Sequence, residues 1–319
     1  MTSAAPPHSR AGGNMWLGAI AAIALALAVT APFIINAYGL YLVTLTGIFG
    51  LVALGLNFLV GYAGQISLCH AAFFGVGAYA TALLTQKAGV PYVLSLFLAG
   101  LFTTAIGALV AVPALRLRSL YLAIASLGFG VVLQRIIFEW RSLTGGGGGM
   151  QLPAATVAGR ALTATGLYEL TIALLGIGLY VAHNISRGRT GRALLLIRES
   201  ETAAGALGIS AARYKITAFA ISAFYAAVAG GLFAYLVRYI NPESFNVGLS
   251  IAFLSMVVIG GLGAIGGSIV GAIFYVLVPE LLRGFNDAPG LVFGALLVIV
   301  MVFMPRGLWG MGMRLARRE

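Results

Sequence analysis

The sequence predicts an all-α, polytopic integral membrane protein with about 8–10 transmembrane helices, broken or re-entrant segments, and both termini on the cytoplasmic side. Three observations carry this prediction. Charged residues make up 8% of the chain and hydrophobic residues 61%, with a mean hydropathy of +1.02. A soluble domain carries about 25% charged residues. The apolar stretches are continuous runs rather than periodic stripes, which marks lipid as the solvent. The runs are also too long for alternating barrel strands, so helices satisfy the backbone. The 44 glycines suit helices that approach closely within lipid.

A polar cytoplasmic lead, residues 1–15, precedes the first apolar stretch. That stretch is too long for a signal-peptide core and no A-x-A site follows, so it reads as a retained span. Ten apolar segments follow one another: Trp16–Ile35, Leu40–Val60, Leu68–Thr85, Tyr92–Ala114, Leu120–Phe138, Leu167–His183, Ile216–Leu236, Leu249–Gly260, Gly267–Leu282 and Gly290–Met304. Several fall short of the roughly 20 residues a span needs. The eighth is the weakest, and with the ninth it reads as one hairpin folded back inside the protein. Residues 16–305 thus form the membrane domain, and 306–319 a basic cytoplasmic tail.

Orientation follows from the basic residues. With the amino terminus inside, 13 of the 19 lysines and arginines fall on the inner face, among them Arg116, Arg118, Arg187, Arg189, Arg192, Arg198, Arg213 and Lys215. The remaining six, Lys87, Arg135, Arg141, Arg160, Arg238 and Arg283, fall outside. The net charge of +11 therefore reads as loop anchoring rather than as a nucleic-acid surface.

The acidic residues argue against ion coupling. Glu139, Glu169, Glu243, Glu280 and Asp287 fall near outer segment ends, Glu199 and Glu201 in an inner loop, and none is deep in a span, where a carboxylate relay would sit. Arg135–Glu139 and Glu280–Arg283 read as interfacial helix pairs. No phosphate-binding G-x-x-x-x-G-K-[ST] occurs. Cys69 is the single cysteine, so no intramolecular disulfide exists, and its neighbour His70 reads with it as packing. No convergent set of titratable groups suggests an enzyme. A transporter with neither relay nor ATP site takes its energy from a partner. The run Gly145–Gly149, in the outer loop, reads as a flexible linker.

Two constellations stand out. The first is GLNFLVGYAGQISLCHAAFFGVGAYA, Gly55–Ala80, where a polar, glycine-rich patch breaks an apolar run. Non-helical backbone at membrane depth is tolerated where it is buried or lines a cavity, and broken helices form substrate sites in several transporter folds. Gly61 and Gly64, with Asn57, Gln65 and Ser67 as uncharged hydrogen-bonding groups, are the candidate pathway residues. The other open reading is an ordinary inner turn. The second constellation is the largest inner loop, 186–215, which contains RESETAAGALGIS, Arg198–Ser210. Ser200 suits an N-cap, Glu201 the first turn and Gly208 the stop. Between them lie about two turns of slim helix. Such a helix is marginal alone in water. It reads either as an element seated in a partner's groove or as a solvated loop helix.

These two stretches, together with SMVVIGGLGAIGGSIVGAIF, Ser255–Phe274, resemble the permease subunits of bacterial branched-chain amino acid ABC importers, the LivM-type family. The resemblance runs from roughly Leu40 to Leu308. It implies a non-enzymatic subunit without a cofactor in the bacterial inner membrane, importing branched-chain or related neutral amino acids. It also implies two ATP-binding subunits, a second and usually non-identical permease, and a periplasmic solute-binding protein. The inner loop of such permeases carries the helix that seats in the ATPase. Here that stretch offers Arg198, Glu199, Ser200, Glu201, Ala203, Ala204, Gly205 and Gly208. Cys69 departs from the glycine such permeases commonly carry. Relatives of this shape also move urea, short amides or aromatic acids. From the residues alone, a stand-alone transporter or channel for a small neutral solute remains the alternative.

Overall fold

A computed structural model describes residues 34–115, 119–157, 160–282 and 307–315, together with Pro32, Gly294 and Val298. The expected spans Trp16–Ile35 and Gly290–Met304 lie largely outside these residues, as do Arg283, Asp287 and both termini. The described helices are α1 (Ala37–Asn57), α2 (His70–Gln86), α3 (Tyr92–Ala114), α4 (Ser119–Glu139), the single turn α5 (Arg141–Thr144), α6 (Ala164–Arg187), α7 (Arg189–Glu199), α8 (Glu201–Ala206), α9 (Ala211–Val237), α10 (Val247–Gly260), α11 (Ile265–Leu281) and α12 (Gly307–Leu315). Among the described residues, five helical stretches are long and apolar enough to cross a membrane: Ala37–Tyr62, Tyr92–Pro113, Tyr121–Glu139, Ala164–Arg187 and Ala211–Val237.

The other apolar helices are shorter: 17 residues in α2, 14 in α10 and 17 in α11. At about 1.5 Å per residue, α10 covers only about 20 Å of a hydrocarbon core roughly 30 Å thick. The α10–α11 hairpin expected from sequence is present. What makes α2 short is that it begins inside the bundle, whereas α10 starts from an exposed loop. The backbone N–H of Leu68 donates to Ser126 Oγ of α4 at 2.9 Å, and that of Ala71 to Ser250 Oγ of α10 at 3.0 Å. His70 Nε2 lies 2.5 Å from Ser222 Oγ, near the middle of α9. Ser126 and Ser250 thus meet main-chain N–H groups around the start of α2, and Ser222 meets the His70 side chain there. The start of α10 is capped by Asn246, whose Oδ1 accepts from Leu249 N at 3.1 Å.

The core is built around α1 and α9. Helix α9 packs against α1, α2 and α3, while α1 packs against α6, α10 and α11. Contact between α2 and α9 is glycine-mediated. Gly77 lies on the backbone of Ala227 and Gly230 on the carbonyl of Phe74, and a Cβ at either position would collide with main chain. Close backbone approach of this kind replaces the hydrophobic drive that lipid does not supply. An aromatic cluster fills the space beside it: Phe74 meets Phe233, Phe245 and Phe253 at ring separations of 5.2, 5.9 and 5.3 Å.

At one end of the bundle, strand β1 (Met150–Gln151) pairs antiparallel with β4 (Tyr239–Ile240), and β2 (Thr156–Val157) with β3 (Arg160–Ala161). The glycine run expected to be a flexible linker is instead a folded turn against β4. Gly146–Gly148 form a single 3₁₀ turn, Tyr239 Oη donates to Gly148 O at 2.9 Å, and Asn241 Nδ2 donates to Gly147 O at 3.2 Å. Gly145, Gly146 and Gly149 have φ of 76°, 59° and 68°. Three left-handed residues within five are accessible without strain only to glycine, so the run encodes a shape rather than slack. Arg135 and Glu139 form the expected i,i+4 pair at 2.6 Å, with both side chains exposed. Glu280 accepts from Tyr38 Oη at 2.8 Å. Among the described residues the opposite end carries residues 61–65, α7, α8, the α10–α11 turn and α12, so the glycine-run loop and loop 186–215, assigned by arginine count to opposite faces, lie at opposite ends.

Two expectations follow. Gly230→Ala gains about 1 kcal/mol of helix propensity but forces a methyl against main chain, and overpacking costs about 1–3 kcal/mol. Its midpoint of thermal unfolding in detergent should fall, whereas Gly128→Ala, with nothing within 4 Å of the new methyl, should keep or raise it. Topology reporters fused at Gly147 and at Leu207 should report opposite sides of the membrane; the same side for both would refute this arrangement.

Candidate functional site

The break after α1 begins where the helix loosens into one π-helical turn, Phe58–Tyr62. Ala63 N still reaches Phe58 O at 3.1 Å and Gln65 N reaches Leu59 O at 2.9 Å. Gly64 then takes φ +67°, and the chain runs without helix to Cys69. Such a π turn leaves carbonyls without their usual partners, and in a lipid setting they have to be met from within the protein.

Asn57, 2% exposed, does much of this work. Its Oδ1 accepts from Gly263 N at 2.8 Å, and its Nδ2 donates to Ala264 O at 2.9 Å and Ser268 Oγ at 3.0 Å. A single side chain thereby fastens the α10–α11 turn to the end of α1. The turn needs Gly261 and Gly263 at φ 121° and 78°. Ser67 is fully buried, with Oγ 3.2 Å from Cys69 Sγ. Gln65 is 5% exposed, and its Oε1 finds no hydrogen-bond partner among the described residues. Of the five candidate pathway residues, Asn57 and Ser67 are thus engaged within the protein, Gly61 and Gly64 shape the backbone, and Gln65 holds a free acceptor.

The inner loop is built from two consecutive helices. Helix α7 buries Gly191, Ala193, Leu194 and Ile197. Ser200 ends it in an extended conformation and caps α8, its Oγ accepting from Ala203 N at 3.2 Å. Gly208, at φ +76°, closes α8 with Gly208 N on Gly205 O and Ile209 N on Ala204 O, both at 3.0 Å, as left-handed glycine termini do. Glu199, Ala203, Gly205 and Gly208 are exposed, and so is Leu207 at 70%. Ala204 does not share that outward face. It is 1% exposed and packs into its own chain, because it is the one small residue of α8 on the side facing the bundle. Glu201 also has its partner at home: Lys215 Nζ of α9 lies 2.9 Å from each carboxylate oxygen. The lysine side chain is only 8% exposed, which ties α8 to α9.

The two constellations that sequence reading treated separately meet at Arg198. Its Nη1 donates to the carbonyl of Gly61, and its stem runs beneath Gly64, where a Cβ would lie 2.8 Å from Arg198 Cγ. Lys215, Ser222, Ser250, Ser126, Gly263 and Ser268 belong to the same network and carry no local sequence signal beyond being small or polar residues in apolar surroundings.

A cavity of about 660 Å³ among the described residues lies away from this network, between α3, α6 and α9. Its polar side chains include Thr104 and Thr217, each bonded to a carbonyl of its own helix. Neither has a donor left to orient a charged solute.

Removing the Asn57 side chain would orphan Gly263 N–H and leave Ala264 C=O with Ser268 N at 3.3 Å as its remaining donor. An unsatisfied buried group costs about 1–3 kcal/mol. Asn57→Ala should therefore lower the thermal midpoint and open the 261–264 turn to protease. Asn57→Asp should do so more strongly, because it places a carboxylate against Ala264 O.

Comparison with known proteins bears on this arrangement. Residues 38–305 match the family model described as branched-chain amino acid transport system / permease component. The high-affinity branched-chain amino acid transport system permease protein LivM of Escherichia coli (strain K12) is 37% identical over 309 residues, covering 89% of this chain and 73% of that protein. The corresponding LivH of the same organism is 26% identical over 298 residues, covering 84% and 93%. Among solved structures, PsaBC from Streptococcus pneumoniae in complex with Fab aligns over 86% of this chain and 95% of that one, with 15% identity and a TM-score of 0.45, too distant to bear on the site. With the family model spanning most of its length and a membrane bundle of apolar helices beneath it, the chain belongs to the branched-chain amino acid transport permease family.

Proposed function

We propose that this multi-pass permease is the transmembrane subunit of an ATP-binding cassette importer for branched-chain or related neutral amino acids in the bacterial inner membrane. Two separate ATPase subunits drive it, a second and non-identical permease completes the pathway, and a periplasmic solute-binding protein delivers the solute to the outer loops. The observation that carries this reading is α8. It is a short helix with an outward face of small residues, rigidly capped, at the end of the bundle opposite the folded glycine turn. Small side chains let a helix enter a groove, and tertiary anchoring offsets the instability of two turns in water.

In this reading the membrane domain is 16–305, flanked by the lead 1–15 and the tail 306–319, and loop 186–215 faces the ATPase. Glu199, Ala203, Gly205 and Gly208 form the coupling surface. Ser200, Glu201 and Ala204 hold the helix in place behind it, and Arg198 joins it to the bundle. Gly61, Gly64 and Gln65 border the solute pathway, with Asn57 and Ser67 fixing its backbone. The relatives named LivM and LivH are both described as permeases of a high-affinity branched-chain system, which supports a paired, non-identical arrangement and an aliphatic amino acid as solute.

Co-expression with the ATPase, partner permease and binding protein of the same host tests the proposal. Leucine uptake into liposomes should require ATP and binding protein together, and urea, short amides and aromatic acids should compete weakly. Ala203→Trp, at an outward position, should abolish co-purification of the ATPases without affecting membrane insertion. Uptake by the purified chain alone would establish a stand-alone transporter instead.

A further inference from the structure

The inner loop is bonded to the break in α1, and the bond has a direction. The Gly61 carbonyl sits at the carboxyl-terminal end of a helix, where acceptors are left open and the helix dipole is negative. A guanidinium is the strongest donor available to it, because hydrogen bonds from a charged group are roughly twice as strong as neutral ones. The path to that carbonyl is kept open by Gly64, whose missing Cβ leaves room for the arginine stem. The same head group abuts the α10–α11 turn: a Cβ on Gly263 would lie 3.9 Å from Arg198 Nη1, and Gly263 N is held by Asn57. Behind Arg198, Leu194 and Ile197 of α7 are buried, so the arginine projects from a fixed base. The head group is thus engaged within the chain although the residue as a whole stays exposed, as Glu199 beside it is.

We infer that Arg198 is a positioning residue that carries movement of α7 and α8 to the broken end of α1. The inference rests on the reading of α8 as the element an ATPase moves. The far end of the broken segment is held independently. Glu201 ties α8 to Lys215 of α9, and Ser222 of α9 holds His70 at the start of α2. Displacing the loop therefore acts on segment 63–69 at both ends, at Gly61 through Arg198 and at His70 through α9. A two-point attachment turns a rigid shift of α8 into a change in the shape of the segment between the points. This is the physical form a coupling between two sites takes.

The test uses the assembled complex with Cys69→Ser and a reporter Ile66→Cys, since Ile66 lies within the segment and is 39% exposed. With Arg198 intact, the rate of modification by a methanethiosulfonate reagent should change between the nucleotide-free and vanadate-trapped states. Arg198→Ala should erase that change and lower uptake per ATP hydrolysed by about tenfold, the scale of a single coupling energy, while the ATPases still co-purify. Arg198→Lys, which keeps one donor for one carbonyl, should restore part of both. Loss of the ATPases from Arg198→Ala would make Arg198 a docking contact and overturn the inference. An unaltered nucleotide response would overturn it too. If the complex with Arg198 intact shows no ATP-dependent uptake, the importer reading has failed, and the isolated chain then decides the link. There Arg198→Ala should raise the Ile66→Cys modification rate by about threefold or more if Arg198 anchors Gly61, through local opening; an unchanged rate refutes the anchor.

Discussion

A backbone N–H or C=O left without a partner in hydrocarbon costs several kcal/mol, and segment 63–69 crosses the interior of this bundle without a helix to satisfy it. Much of the architecture around it answers that one constraint. Ser126 and Ser250 reach in from α4 and α10 to meet backbone N–H groups around the start of α2, and Ser222 of α9 holds the His70 side chain beside them. Asn57 binds both polar edges of the α10–α11 turn. Arg198 meets the carbonyl that the π turn leaves at Gly61. These are uncharged groups except Arg198, which has the carboxyl-terminal end of a helix dipole to complement.

The same constraint shapes the second half of the chain. After α9, as after α1, a long central helix is followed by a short one. Gln134 Nε2 of α4 donates to Pro242 O at 3.0 Å where the descending loop passes it, and Phe245 packs against Gly75 and Phe74 of α2. The hydrogen bond from Ala71 N to Ser250 Oγ joins the starts of the two short helices. Glycine-mediated contact between α2 and α9 fastens the first of these short helices to the long central one.

The inner loop divides its labour by face. Small exposed residues lie outward on α8, while its inward side is anchored by Ala204, by the Glu201–Lys215 pair and through α7 by Arg198. A surface ion pair adds little stability, but here the lysine is nearly buried, so removing the carboxylate would strand a cation in a low-dielectric site, which is costly. The pair therefore serves to hold orientation. A docking helix that could swivel would absorb a partner's motion instead of passing it on.

Composition alone determined the solvent, since 8% charge cannot coat a soluble surface, and the distribution of arginines placed the loops at two ends. Local rules reached Ser200 as cap and Gly208 as stop, because capping depends on residues within one turn. The interruption between Asn57 and Cys69 was legible because glycine and polar residues stand out in an apolar run. Tertiary structure decided the rest. That Glu201 pairs with Lys215, that Ala204 faces inward, and that five glycines fold against Tyr239 and Asn241 each depend on which surfaces the helices present to one another. The meeting of Arg198 with Gly61 joins residues 137 positions apart. Where the described central helices, such as α1, α3, α9 and α10, are apolar on all sides, hydrophobic periodicity does not say which face meets which neighbour. The choice is made by where missing side chains let backbones touch and where unpaired backbone groups find a partner.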